Sequence, residues 1–379
     1  MLYKLSDVFD LQMGKTPSRD NNMYWKDGNL PWVSIADLSK SQIYIENSKE
    51  MITNLAAKDT LMKCIPQDTV IMSFKLSLGK TAITKTPLYT NEAIMAFIDK
   101  KVIQIEPKYI YFLFCNIKWG QYTNNAVKGK TLNKKFFSDF QIYIPEYTQQ
   151  TKIASILIRI NKILEYKHSL IKAYDAIIKS RFVEMFGDPN ASRTKYKLVP
   201  IHMVTDCMVP GRDKPKSFTG EIPWITINDL NVNGYTNKSK LGLGLTIDEV
   251  KEVNRKCVPQ GSVLMSCVGN LGLCSIASVD VVINQQLHSY QCNEFINNLY
   301  LMYYLSFKNT YMNKIASSTT VLYMNKNACN NIPVLLPPID LQISFAKYLN
   351  QINKLKSDVQ KSIDETQLLM DSLMQEYFG

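Results

Sequence analysis

The sequence predicts an α+β protein. Two pseudo-repeated globular lobes are separated by two long helices forming an antiparallel coiled coil. Three observations predict it. An apolar stripe at three- and four-residue steps runs from about Thr148 to Phe186, a second begins at Asp340, and the residues preceding the two stripes are versions of one another. The chain accordingly divides into a first lobe at 1–145, a central helix at 146–189, a second lobe at 190–336 and a C-terminal helix at 337–379.

In the central helix Ile153, Ile156, Ile160, Ile163, Leu170 and Ile177 mark the stripe, with Lys, Arg, Asn and Glu on the other face. Thr148 is expected to cap its start, and Gly187 followed by Pro189 to end it. In the C-terminal helix Phe345, Ile352, Leu355, Val359, Ile363 and Leu369 repeat the spacing. These twelve residues are the expected pairing seam. Residues 151–185 carry a net charge of +4 and residues 340–378 a net of −2, and opposite signs favour pairing with each other over self-association. Two ordinary core-facing helices are the alternative reading.

The duplication is explicit in the lobes. Leu30-Pro31-Trp32-Val33-Ser34-Ile35 returns as Ile222-Pro223-Trp224-Ile225-Thr226-Ile227, an offset of 192 residues. Within one residue the same offset relates Lys63-Cys64-Ile65-Pro66 to Lys256-Cys257-Val258-Pro259, Asn133-Lys134 to Asn325-Lys326, and Gln150 to Gln342. A period that long is a domain duplication, not a solenoid. Each Pro-Trp segment reads as a half-buried strand with its tryptophan as a core anchor.

Composition narrows the function. The hydrophobic fraction is 46% and no apolar run approaches the length of a membrane span, so the expectation is a soluble, cytoplasmic protein without a signal peptide. Eight cysteines form no Cys-x-x-Cys pair, as in a reducing compartment, and no metal site is proposed by their spacing. The net charge of +11 lies mainly in the lobes, +5 over residues 1–150 and +4 over 186–339. Basic globular lobes point to a polyanion, with nucleic acid foremost; a merely basic protein is the plain alternative.

No catalytic constellation presents itself. Gly14-Lys15-Thr16 and Gly79-Lys80-Thr81 imitate the end of a phosphate-binding loop, but the glycine required five residues earlier is Phe9 or Phe74. The polar stretches after the strands are better candidates for nucleic-acid contacts. Lys and Arg supply phosphate contacts there, and Asn, Gln, Ser and Thr can read base edges. In the first lobe the candidates are Lys15, Thr16, Ser73, Lys75, Lys80, Thr81, Lys128, Lys130, Asn133 and Lys134. In the second they are Arg212, Lys214, Ser266, Asn270, Gln285, Thr319, Thr320, Asn325 and Lys326.

With these residues in view, the chain resembles the DNA-specificity subunit of type I restriction–modification systems. The resemblance rests on Gly14-Lys15-Thr16-Pro17, Tyr24-Trp25, Gly28-Asn29-Leu30-Pro31-Trp32-Val33, Leu132-Asn133-Lys134 before Ile144-Pro145, Gln149-Gln150, and above all the duplicated lobe–helix plan. It implies a non-catalytic subunit whose lobes are target-recognition domains, each reading half of a split duplex sequence. It further implies helices that space the lobes and dock methyltransferase subunits, two of them, alongside ATP-dependent restriction subunits. No cofactor is expected in this chain; S-adenosylmethionine, ATP and Mg belong to those partners. The second lobe departs from the pattern: Pro210-Gly211-Arg212-Asp213-Lys214-Pro215 replaces Gly-x-Thr-Pro, and its Tyr-Trp pair is missing. The rival readings are a self-contained DNA methyltransferase or nuclease, and a nucleic-acid-binding scaffold without sequence preference.

Overall fold

The computed structural model describes residues 1–123, 132–191, 193–211, 213–318 and 321–379. They form two compact units, one of residues 1–168 with 361–379 and one of residues 169–360. Each unit takes one lobe and part of each long helix, because helical residues complete the core of each lobe.

In the first unit the strands Val70–Ser73 and Ile94–Asp99 lie side by side at the centre of a five-stranded sheet. Phe9–Met13, Thr81–Thr84 and Tyr44–Ile45 flank them. Their runs are continuously apolar because both faces are covered. Val70, Met72, Met95 and Phe97 join one core with Phe114, Phe137, Ile153 and Leu157, whereas Ile71, Ala82, Ile94 and Ala96 join another with Val33, Ile45 and Leu88. A three-stranded sheet holds Leu30–Val33 between Glu50–Ile52 and Tyr89–Thr90.

The second unit repeats this topology strand for strand. Leu287–Cys292 and Val263–Ser266 are central, with Thr205–Met208, Cys274–Ala277 and Tyr235–Thr236 around them, and Ile222–Ile225 lies between Gly244–Leu245 and Val282–Ile283. Trp32 and Trp224 are buried at matching places. Trp25 stands edge-on to Trp32 at 5.1 Å, and Arg19 lies 3.9 Å from the Trp25 ring while binding both Glu50 oxygens. In the second unit Phe218 stands edge-on to Trp224 at 5.8 Å, and Arg255 lies 4.9 Å from that ring. Phe218 thus takes the repeat position of Trp25, 193 residues on, and Arg255 brings from a non-equivalent point in the chain the cation that Arg19 supplies in the first lobe.

The central helix is Tyr147–Phe186 and the C-terminal helix Ile339–Phe378. The former starts one residue before Thr148, which therefore lies inside the first turn and is not its cap. Gly187 ends it as expected, at φ 87°. Near each helix start a glutamine is buried. Gln150 Oε1 accepts the Glu106 amide (2.9 Å), and its Nε2 donates to the carbonyls of Gln104 (3.1 Å) and Pro145 (2.9 Å). Gln342 makes the same three bonds, to Asn297 N (2.9 Å), Phe295 O (3.1 Å) and Pro337 O (2.8 Å).

The helices run antiparallel within each unit. In the first, Lys167 bonds Ser362 and Thr366, while Met370, Leu373, Met374 and Tyr377 reach the core of Ile153 and Leu157. In the second, Lys356 bonds Asp175, while Phe345 packs on Phe182 at 5.3 Å. The seam corrects the expected residues. Ile153, Ile160, Phe345 and Ile363 are buried and Ile156, Ile352 and Val359 half-buried, but Ile163, Leu170, Ile177, Leu355 and Leu369 are exposed. The buried positions are Ile153, Leu157, Ile160, Leu164, Ile178 and Phe182 on the central helix and Phe345, Leu349 and Ile363 on the C-terminal helix, with Ile352, Lys356, Val359 and Thr366 half-buried. Lys167, Lys356 and Thr366 thus take places that an apolar pattern would assign to their neighbours, a use of polar seam residues that fixes register at some cost in stability.

Two predictions follow from buried polar groups. Gln342→Leu strands three backbone groups and should destabilise the second unit by on the order of 3 kcal/mol in denaturant unfolding. A loss under about 1 kcal/mol would mean that those groups find other partners. His288, on the central strand Leu287–Cys292, is buried beside Tyr290, with Nε2 3.1 Å from Asn330 Oδ1. Burial, with the Lys326 charge adding to it, pushes the imidazole down from 6.5 to about 4. The unfolded chain therefore binds this proton before the folded one does, so stability is full above about pH 6.5 and falls as pH drops toward 4, by roughly 3 kcal/mol. His288→Met, the residue type at the matching Met95, should flatten that part of the pH–stability curve.

Candidate nucleic-acid interface

The segment Asp10–Lys15 leaves the large sheet of the first lobe and passes so close to Thr90 that a Cβ on Gly14 would stand 2.1 Å from the Thr90 carbonyl. Only glycine allows that passage. Lys15 N then donates to Thr90 O (2.9 Å), and Lys15 Nζ reaches the Thr60 carbonyl (2.9 Å). Gln12 Nε2 donates to Lys63 O (2.7 Å), tying this segment to the turn after Asn54–Asp59. The result is a cleft of about 580 Å³ whose walls include Lys15, Lys63 and Lys134, with Met13 and Leu61 among its apolar members and Asp10 as the one acid. Three lysines lining one opening suit a polyanion.

The structure brings Lys15 and Lys134 together at this cleft and adds Lys63, which sequence reasoning missed. Its signal was the repeated Lys63-Cys64-Ile65-Pro66 segment, read only as a mark of the duplication. Thr16 is exposed with its hydroxyl on Glu92, Lys75 is half-buried over the Phe74 ring, and Lys80 is exposed. Lys128 and Lys130 lie outside the described residues, as do Arg212, Thr319 and Thr320.

Three hydroxyl candidates turn inward, contrary to expectation. Ser73 is buried, donating to Ser77 O and accepting from Lys80 N (3.0 Å), and Thr81 is buried on Gly79 O (3.0 Å). Ser266 repeats the Ser73 arrangement with Asn270 O (2.5 Å) and Leu273 N (2.8 Å). These hydroxyls satisfy the backbone of a tight loop, which leaves them no exposed surface. The two asparagines serve as helix caps: Asn133 Oδ1 accepts Phe136 N (2.8 Å) and Asn325 Oδ1 accepts Ala328 N (2.8 Å), placing Lys134 and Lys326 exposed at the first helical position.

In the second lobe, backbone bonds gather three candidates on one edge. Gly269 N donates to Leu322 O (2.8 Å), Met324 N to Cys267 O (2.9 Å) and Cys267 N to Gln286 O (2.9 Å). Asn270, Gln285 and Lys326, all exposed, project from these laced loops. The first lobe has the corresponding bond, Leu132 N to Phe74 O (3.0 Å). Lys214 is exposed, on a segment held by Arg255, whose guanidinium donates to Asp213 O (2.7 Å) and Ile283 O (2.8 Å). Among the described residues no group of three or more His, Cys, Asp or Glu is placed to hold a metal, and no helix is long and apolar enough to cross a membrane.

The type I restriction modification DNA specificity domain matches residues 1–173 and again residues 209–366. The specificity subunit of the MjaIX type I restriction enzyme of Methanocaldococcus jannaschii is 29% identical over 189 residues, 49% of this chain and 43% of that protein. The EcoR124I/EcoR124II specificity subunit of Escherichia coli is 29% identical over 153 residues, 38% of this chain and 36% of that protein. The matched stretches thus span less than half the length of these relatives. A chain from a solved type I R-M system aligns over 100% of this chain and 97% of its own at TM-score 0.65 and 17% identity. The S subunit of the type I restriction-modification system of M. genitalium does so over 100% and 96% at TM-score 0.58 and 11% identity. At such identities the likeness is one of fold. With its recognition module matched twice, once on each lobe, this chain belongs to the type I restriction modification DNA specificity domain family.

Proposed function

We propose that this chain is the non-catalytic DNA-specificity subunit of a type I restriction–modification complex, each lobe reading one half of a bipartite duplex sequence. The observation that carries the reading is the duplicated surface. Both lobes end matching strands in loops laced to a capped Asn-Lys helix start, Asn133-Lys134 in one and Asn325-Lys326 in the other, and the first adds the Lys15–Lys63–Lys134 cleft. The shared scaffold fixes where contacts occur, and the unlike residues on it let the lobes read unlike bases. Methyltransferase subunits dock on the helices, where Ile163, Tyr166, Leu368 and Leu369 in the first unit and Leu170, Ile177 and Leu355 in the second stand outside the seam and exposed. S-adenosylmethionine, ATP and Mg enter with the methyltransferase and restriction subunits.

Exchanging residues 1–145 for the first lobe of another family member tests modularity. The methylated motif should change in one half and keep the other, and methylation should require added methyltransferase subunits. A motif altered in both halves, or methylation by the purified chain alone, would overturn the assignment. For the cleft, Lys15, Lys63 and Lys134 changed together to alanine should weaken binding and reduce the slope of log K against log salt by roughly one unit per lost phosphate contact. The same number of substitutions at Lys152, Lys162 and Lys172 of the central helix should change the slope much less.

A further inference from the structure

The helix Asn54–Asp59 closes through two bonds, Leu61 N to Lys58 O (3.1 Å) and Met62 N to Ala57 O (2.9 Å). This closure takes Leu61 into the left-handed region, at φ 52°. Glycine and asparagine suit that position, whereas a branched apolar side chain there is strained. The second lobe makes the same turn with Asn254 N to Lys251 O (2.9 Å) and Arg255 N to Val250 O (3.0 Å), and it uses the suited residue, Asn254 at φ 47°. Burial does not repay the first lobe for its leucine, because Leu61 is 78% exposed. A strained backbone and a solvated apolar side chain coincide at one wall of the cleft that holds Lys15, Lys63 and Lys134. The departure recurs at Leu76, φ 63° and 78% exposed, where the second lobe has Gly269 at φ 71°. Leu76 lies on the loop whose Phe74 carbonyl holds Leu132, two residues before Lys134.

Resting on the reading of this cleft as a DNA surface, we infer that Leu61 is a specificity-determining residue whose ligand is the 5-methyl group of a thymine in the first lobe's half-sequence. Leucine has no hydrogen-bonding group with which to distinguish donors from acceptors. Among the unmodified base edges in the major groove only thymine presents a methyl. Lysines on the neighbouring phosphates fix the register, and the exposed leucine is covered when that methyl meets it.

The test uses the full chain assembled with its methyltransferase subunits. The methylated motif and the lobe exchange identify the half-sequence read by the first lobe. Each thymine in it is then replaced in turn by uracil, which lacks only the methyl. At one position the wild-type complex should bind the uracil duplex roughly four-fold more weakly, the worth of one buried methyl. The Leu61→Asn complex should bind both duplexes alike, and its specificity chain should melt about 2–4 °C higher because asparagine suits the turn. A half-sequence without thymine, or uracil losses that Leu61→Asn leaves in place, would overturn the inference. In either case an intact effect of the triple lysine variant would leave the cleft's assignment standing. Loss of that lysine effect would remove both.

Discussion

The structure depends on a pair of buried amides. Gln150 and Gln342 each lie one turn into a 40-residue helix, and each gives both its N–H donors and its oxygen to backbone groups of its own unit. Each amide joins the loop before a lobe helix to the carbonyl five residues before it, so the angle at which a long helix leaves its lobe is set by directional bonds. Hydrophobic packing alone would leave that angle softer, since apolar contact is non-directional. The aromatic contacts of Phe182 and Phe186 with Tyr300 and Phe345 are laid down around a direction already fixed.

Polar residues play a related part along the seam. Lys167 gives its ammonium to three neutral oxygens, at 2.6–2.8 Å, on Ser362 and Thr366. A slip by one heptad would place that charge against apolar neighbours without acceptors, so the arrangement excludes other registers more than it strengthens this one. The exposed leucines and isoleucines just off the seam are the counterpart of that choice. With polar groups inside, apolar surface is left outside, available to another protein.

Much of this architecture was legible in the sequence, and the misses have physical causes. The duplication, both helices, the buried tryptophans and the matched glutamines were readable because each rests on spacing or on a repeated residue. Apolar periodicity cannot register a seam lysine, so it points to Ile163, Leu170 and Ile177, while the inward positions include Leu164, Lys167 and Ile178. Ser73, Thr81 and Ser266 were taken for contacts because a hydroxyl that satisfies a loop and one that meets a ligand look alike in sequence. Phe218 stands 193 residues after Trp25, at its repeat position, but a change from tryptophan to phenylalanine hides the match, and Arg255 could not be read as the second lobe's answer to Arg19 because the offset does not relate them. Lys63 was overlooked because its partners at the cleft are 48 residues before it and 71 after it in the chain.

The division into units has a consequence for synthesis. The second unit is one continuous stretch, residues 169–360, whereas the first needs residues 361–379 to finish its core with Met370, Leu373, Met374 and Tyr377. On the ribosome the first lobe is therefore made first but completed last. Until the end of the C-terminal helix arrives, the face around Ile153, Ala154 and Leu157 stays open. A nascent chain would carry that uncovered surface throughout translation of the whole second unit, the interval in which a chaperone or a premature partner has its opportunity.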